Sequence, residues 1–202
     1  MAGLLSTVVL SVYFNQHPGP VPGELRLARW VQDQPLATAA RLGNDFAYSH
    51  VSVPIGIALA LVALIWRRLD IAALLAAPAL LRPTNSIVKR LVERDRPTEL
   101  ELAVSEHATG FAFPSGHAFG SALLLFAAIV CLWRLPLSTK SRIGGTVVLL
   151  AMTLNCGMAR VYVGAHWPTD VGGAWLIAAL WIGLLARIAE FISLRFGPMD
   201  HF

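Results

Sequence analysis

"FAFPSGHAFGSALLLF", residues 111–126, sets Pro, Ser, Gly and His side by side at the mouth of an uncharged apolar run. No Asp, Glu, Lys or Arg occurs between His117 and Trp133. At a rise of 1.5 Å per residue, about 20 mostly apolar residues carry a helix across a hydrocarbon core of roughly 30 Å. The Pro-Ser-Gly-His turn therefore lies where a spanning helix meets the membrane surface. The first N–H groups of a helix have no intrahelical partner and carry the positive end of its dipole, which makes this turn a place for an anion. Ser115 adds a hydroxyl, the backbone of residues 115–117 adds N–H donors, and Gly116 lets an anion approach the backbone closely.

The rest of the chain has the same character. Of its 202 residues, 56% are hydrophobic and 14% charged, and the mean hydropathy is +0.62. A soluble domain carries more charge, so the chain reads as a membrane protein. The net charge of +4 does not point to nucleic acid, because the basic residues fall singly or in short clusters between apolar runs. Cys131 and Cys156 sit inside such runs and read as small hydrophobes.

Spanning helices are expected at Phe46–Trp66, Asp70–Val88, His117–Trp133, Ile143–Met158 and Val171–Ile188, with Met1–Phe14 as a short sixth. Between Met1–Phe14 and Phe46–Trp66, "ELRLARWVQDQPLATAARLG" sets Leu25, Leu27, Ala28, Trp30 and Val31 among Arg26, Arg29 and Gln32. That pattern predicts an interfacial helix, broken near Pro35. Lipid leaves no backbone polar group solvated, so the expected fold class is all-α: a polytopic bundle of about six transmembrane helices in one domain, with its motif-bearing core at about 46–190.

Alternation of direction brings four segment ends to one membrane face. They carry "KRLVERDRP" at Lys89–Pro97, the Pro114–His117 turn, and "RVYVGAHWPTD" at Arg160–Asp170. Lys89, Arg96 and Arg160 are cations, and guanidinium forks match phosphoryl oxygens with paired charge-assisted hydrogen bonds. His166 and Asp170 lie four apart around Pro168, which suits the first turn of a helix, so the carboxylate reaches back to the imidazole. A carboxylate on one ring nitrogen leaves the other as a lone-pair nucleophile or base. His117 is then free to act as general acid. Snorkelling accounts for Arg67, Arg68, Arg134, Lys140 and Arg142, and ordinary interfacial roles for His17, His50, His107 and His201. Arg82, Arg90 and Arg94 neighbour the motifs and stay without a role, with Glu93, Asp95 or lipid headgroups as their expected partners.

Together the three segments resemble the type 2 phosphatidic acid phosphatase (PAP2) superfamily, whose pattern is K-x6-R-P, P-S-G-H and S-R-x5-H-x3-D. Lys89, Arg96 and Pro97 match the first motif, Pro114–His117 the second, and Arg160, His166 and Asp170 the third; Ala159 stands where the family usually has Ser. The resemblance implies that His166 attacks phosphorus, Asp170 orients it and His117 protonates the leaving oxygen. It also implies that Lys89, Arg96, Ser115, Gly116 and Arg160 bind the phosphoryl group. No metal and no other cofactor is required. Ala159 is expected to trim activity or shift substrate preference. The implied partner is a lipid phosphate or diphosphate in the bilayer: phosphatidic acid, phosphatidylglycerol phosphate or a polyprenyl diphosphate such as undecaprenyl diphosphate. Basic residues on the opposite face fit a cytoplasmic side. The site face is basic too, so an exoplasmic or periplasmic site in the plasma membrane rests on the resemblance.

Two other readings use the same residues. Ser115, His166 and Asp170 could form a serine-hydrolase triad, although that leaves the three cations without a task. A non-catalytic lipid-binding or transport bundle would need the cations but no oriented nucleophile.

Overall fold

The computed structural model describes residues 11–196, and among them every regular element is helical. Residues 11–16 are the described part of α1. There follow α2 (Glu24–Gln32), α3 (Ala37–Ala47), α4 (Ser49–Ile65), α5 (Leu69–Leu75), α6 (Ala77–Leu81), α7 (Thr84–Val92), α8 (Gly116–Arg134), α9 (Thr139–Tyr162) and α10 (Pro168–Phe196). The molecule is a polytopic membrane helix bundle. Among the described residues, α8, α9 and α10 are each long and apolar enough to cross a membrane, and two bent helix pairs raise the number of spans to as many as five. Most of the expected span at Met1–Phe14 lies outside the described residues.

The three long helices contain the expected spans at His117–Trp133, Ile143–Met158 and Val171–Ile188 and run past their ends. The other two expectations need correction. The Phe46–Trp66 span is not one helix from its first residue: Tyr48 is extended (φ −60°, ψ 142°), and α3 meets α4 at 60°. Asp70–Val88 is likewise broken, with a 45° bend between α5 and the α6–α7 segment. Proline is the cause. Pro78 and Pro83 lack the N–H that would bond four residues back, and their rings crowd that carbonyl. Pro78 therefore sits in the first turn of α6 and Pro83 just ahead of α7, where a missing N–H costs little.

α8 is the inner helix. Of its apolar window 56% is buried, against 22% for α9 and 17% for α10, so its neighbours rather than lipid cover it. Ala118, Phe119, Ala122, Leu123 and Ala127 of α8 pack with Ile71 and Leu74 of α5, Val161 of α9, and Ala174, Ile177 and Ala178 of α10. Small side chains on these faces let helices approach closely without a hydrophobic drive from water. α2 is amphipathic as expected: Ala28 and Val31 are buried, while Leu27 and Trp30 are exposed. At the far end of the bundle Asp70 pairs with Arg68 and Arg134, 3.2 and 3.3 Å away.

Candidate active site

The motif ends meet around His166. α9 closes with a turn in which the Arg160 carbonyl accepts from the N–H groups of Ala165 and His166, at 3.1 and 3.2 Å. Gly164 makes that turn possible: its φ is +72°, and a Cβ there would lie 2.5 Å from the Ala103 carbonyl oxygen. The imidazole is thus delivered directly behind the Arg160 helix end. Asp170, in the first turn of α10, accepts from the Trp167 N–H at 2.9 Å through Oδ2, and the same oxygen lies 3.4 Å from His166 Nδ1. At that separation the contact is electrostatic rather than a full hydrogen bond, yet it favours a proton on Nδ1 and so a lone pair on Nε2, which accepts from Arg96. Nε2 faces Arg96 Nη1 at 3.1 Å. The Asp170 carbonyl also accepts from the Ser115 N–H at 3.1 Å, which ties the Pro-Ser-Gly-His turn to the same point.

Burial first, then the positive charges of Arg96, Lys89 and Arg160, push the His166 imidazole well below its ordinary pKa. The ring is thereby held neutral at physiological pH. The unfolded imidazole protonates near 6.5, so below about that pH the unfolded state holds the extra proton. As pH drops below that value, stability falls by up to about 1.4 kcal/mol per unit from this group. A thermal midpoint in detergent is expected to decline between about pH 6.5 and about pH 5, less steeply in His166→Gln.

The three expected cations converge here, and one loop contacts all of them. Arg96 donates to the carbonyls of Gly110 at 2.7 Å, Thr109 at 3.1 Å and Phe111 at 3.2 Å, and to that of Ala165 at 2.7 Å. Lys89 donates to the Phe111 carbonyl as well, and to that of Ala112 at 3.3 Å. Arg160, fully buried, forms a two-pronged pair with Glu106 through Nη1 and Nη2, each at 2.9 Å. Its Nη1 also donates to Asn44, and Asn44 in turn donates to Glu106 at 3.0 Å. Burial alone would raise the Glu106 pKa, but the Arg160 hydrogen bond and charge outweigh it and hold the carboxyl below its ordinary value.

His117 stands at the first turn of α8 with the edge of Tyr48 against its ring, centroids 4.8 Å apart. His117 Nε2 and Arg160 Nε are buried without a hydrogen-bond partner among the described residues. Ser115 is buried, and its hydroxyl oxygen caps α8 by accepting from the Ala118 N–H at 3.4 Å. No contact to His166 accompanies that role among the described residues, and His166 Nε2 is turned to Arg96, an arrangement unlike a serine-hydrolase triad. Gly116 lies against Asn85, where an added Cβ would come within 3.2 Å of Nδ2. Ala159 is buried in α9, one residue before Arg160.

Arg94 has no role assigned by its sequence context, and its expected partners are Glu93, Asp95 or lipid headgroups. The structure corrects this. Arg94 is fully buried between two carboxylates, Glu24 Oε2 and Asp170 Oδ1, each 2.6 Å away, and donates to Thr169 Oγ1 at 2.6 Å. Glu24 completes the ring by accepting from the Thr169 N–H at 2.8 Å. Arg94 therefore holds the oxygen of Asp170 that does not face the imidazole. The signal for it was its place in the same charged stretch as Lys89 and Arg96; nothing local marked Glu24, Asn44 or Glu106.

A family profile described as the PAP2 superfamily matches residues 67–193. Phosphatidylglycerophosphatase B of Bacillus subtilis is 30% identical over 113 residues, 55% of this chain and 54% of that protein. An undecaprenyl-diphosphatase of Sulfolobus acidocaldarius is 30% identical over 54% of this chain and 42% of its own length, and a lipid A 1-phosphatase of Rhizobium etli is 32% identical over 51% and 43%. The chain thus spans about half the length, or less, of these curated relatives. Among solved structures, that of a transmembrane PAP2-type phosphatidylglycerolphosphate phosphatase from Bacillus subtilis superposes with a TM-score of 0.77, covering 96% of this chain and 97% of that one at 22% identity, a likeness of fold.

Proposed function

Because the chain belongs to the PAP2 superfamily, we propose that it is an integral-membrane phosphatase that hydrolyses a phosphomonoester or diphosphate of a membrane lipid through a phosphohistidine. The observation that carries this reading is the neutral, buried His166, with Asp170 behind Nδ1 and Nε2 turned toward a cluster of cations. The Nε2 lone pair forms a bond to phosphorus while the bond to the leaving oxygen breaks, and His117 gives that oxygen its proton. Water then attacks the phosphohistidine, returns a proton to His117 and releases phosphate, so that one difficult displacement becomes two easier ones. Lys89, Arg96 and Arg160 neutralise the equatorial oxygens, the work that metal ions do in many other phosphoryl-transfer sites. Ser115, whose own N–H is held by the Asp170 carbonyl, contributes its hydroxyl proton, and Gly116 contributes an N–H group at the opening of α8.

The substrate class follows from where the site lies. An apolar bundle with its cations at the helix ends suits a lipid whose tail stays in the bilayer while its headgroup reaches His166. The relatives' names cover phosphatidylglycerol phosphate, undecaprenyl diphosphate and lipid A 1-phosphate, and phosphatidic acid offers the same terminal group. We place the enzyme in the plasma membrane with its site on the exoplasmic or periplasmic face, a reading that rests on the family resemblance and accords with Arg68, Arg134, Lys140 and Arg142 at the other end of the bundle. A cysteine introduced in the 98–110 loop should then be labelled by an impermeant reagent on intact cells, and labelling only after lysis would reverse the orientation.

The activity is tested by phosphate release from a panel of lipid phosphates and diphosphates, using detergent-purified protein in EDTA. Release that survives EDTA and disappears in His166→Ala supports the proposal, and the ranking of the panel identifies the headgroup. No release from any lipid by folded protein would favour a bundle that binds lipid phosphates without cleaving them.

A further inference from the structure

One segment, residues 106–112, supplies partners to every cation assigned to the phosphoryl group. Carbonyls of Thr109, Gly110 and Phe111 receive Arg96, those of Phe111 and Ala112 receive Lys89, and the carboxylate of Glu106 receives Arg160. Carbonyl oxygens are neutral acceptors and yield readily to a multiply charged anion. Glu106 is different. Its two oxygens meet the Arg160 fork in parallel at 2.9 Å each, the geometry by which the same fork would hold two phosphoryl oxygens. Asn44 at 3.0 Å fixes the carboxylate from the other side, while the Glu106 side chain keeps 27% exposure, enough to leave toward solvent. The Arg160 side chain has no exposed surface and cannot swing out to meet a ligand elsewhere.

We propose that Glu106 is a displaceable internal ligand of Arg160 that competes with the substrate's phosphoryl group and so sets how tightly the site takes an anion. This rests on the assignment of Arg160 to phosphoryl binding. When a headgroup enters, the Glu106 carboxylate leaves the fork and the phosphoryl oxygens replace it. The anion must therefore be charged enough to compete with a carboxylate already in place, which favours a dianionic terminal phosphate over the monoanionic diester of an ordinary phospholipid. The residue would thus exclude the bulk lipids that surround the protein.

The test compares wild type with Glu106→Gln and with Glu99→Gln, which removes a charge from the same loop at an exposed position whose partner is His107, 3.6 Å away. Two quantities are read: binding of orthovanadate, a tetrahedral phosphate analogue, and KM for a lipid phosphate in mixed micelles. The expected result is that Glu106→Gln tightens vanadate binding and lowers KM, each by about 3- to 10-fold, the scale of one partly exposed charge-assisted pair. Glu99→Gln should change neither by more than about 2-fold. Unchanged or weaker vanadate binding in Glu106→Gln overturns the inference and makes Glu106 a support that holds Arg160 in place. An equal gain in Glu99→Gln overturns it in favour of general charge repulsion. Vanadate binding is read without turnover, so a wild type that binds but does not hydrolyse refutes the proposed reaction while the Glu106 comparison still decides this point. Absence of vanadate binding in both proteins refutes the anion site itself, and this inference with it.

Discussion

Alanine at His166 is expected to eliminate lipid phosphate hydrolysis, with a fall in kcat on the order of 10^4 or more, the scale seen when a nucleophile is removed from a cooperating set. The imidazole is buried, and its Nε2 lies beside the Arg96 guanidinium, so no other nucleophile among the described residues occupies its place. Water entering the void would have no carboxylate-held base to activate it. The cations stay, however, so orthovanadate should still bind within about an order of magnitude of wild type. Loss of binding together with turnover would make His166 a structural residue and sink the phosphohistidine mechanism. His117→Ala should fall less far, by about 10^2- to 10^4-fold, the range for a single general acid. It should recover partly on substrates whose leaving group needs no proton, such as aryl phosphates.

The second large effect is on stability. Arg94→Ala leaves Glu24 and Asp170 as buried carboxylates that have lost their common cation, and breaking a buried ion pair from one side costs about 3–5 kcal/mol. For a chain of this size that is a drop in the thermal midpoint of about 10 °C or more, read in detergent by loss of helical signal. Lysine should not restore it, because one ammonium cannot reproduce two 2.6 Å contacts from separate guanidinium nitrogens. Pairing Arg94→Met with Glu24→Gln should recover part of the midpoint by removing one stranded charge. An Arg94→Ala protein as stable as wild type would show that these groups ionise less in the fold than their geometry implies. Turnover should fall as well, since the oxygen of Asp170 that Arg94 holds fixes the one that faces His166.

Legibility in the sequence followed chain separation. α8, α9 and α10 could be placed from uninterrupted apolar runs, and each motif segment sits at one end of such a run, so alternation of direction alone brought Lys89, His117, Arg160 and His166 to one face. The α5–α7 region misled because its hydropathy is that of a span while Pro78 and Pro83 divide its backbone, and hydropathy does not register a missing N–H. Tyr48 shows the opposite limit: nothing in its type requires the extended backbone that turns α3 away from α4. Arg94 lay in view but its partners did not, because Glu24 is 70 residues earlier and Asp170 is 76 residues later. Glu106 and Asn44 meet Arg160 across 54 and 116 residues. Contacts of that range depend on how helices stack, and a single sequence carries no record of them.

The Glu24–Arg94–Asp170 chain joins a surface element to a reacting group. α2 carries Glu24 at its first position and turns Leu27 and Trp30 outward, side chains that settle at the boundary between headgroups and acyl tails. With α2 at that boundary, two 2.6 Å links would tie the depth of the helix to the depth of the imidazole. On the proposed reaction this chain would act as a depth gauge, because a phosphate held at the wrong height above the bilayer would miss His166 however well it fitted the cations.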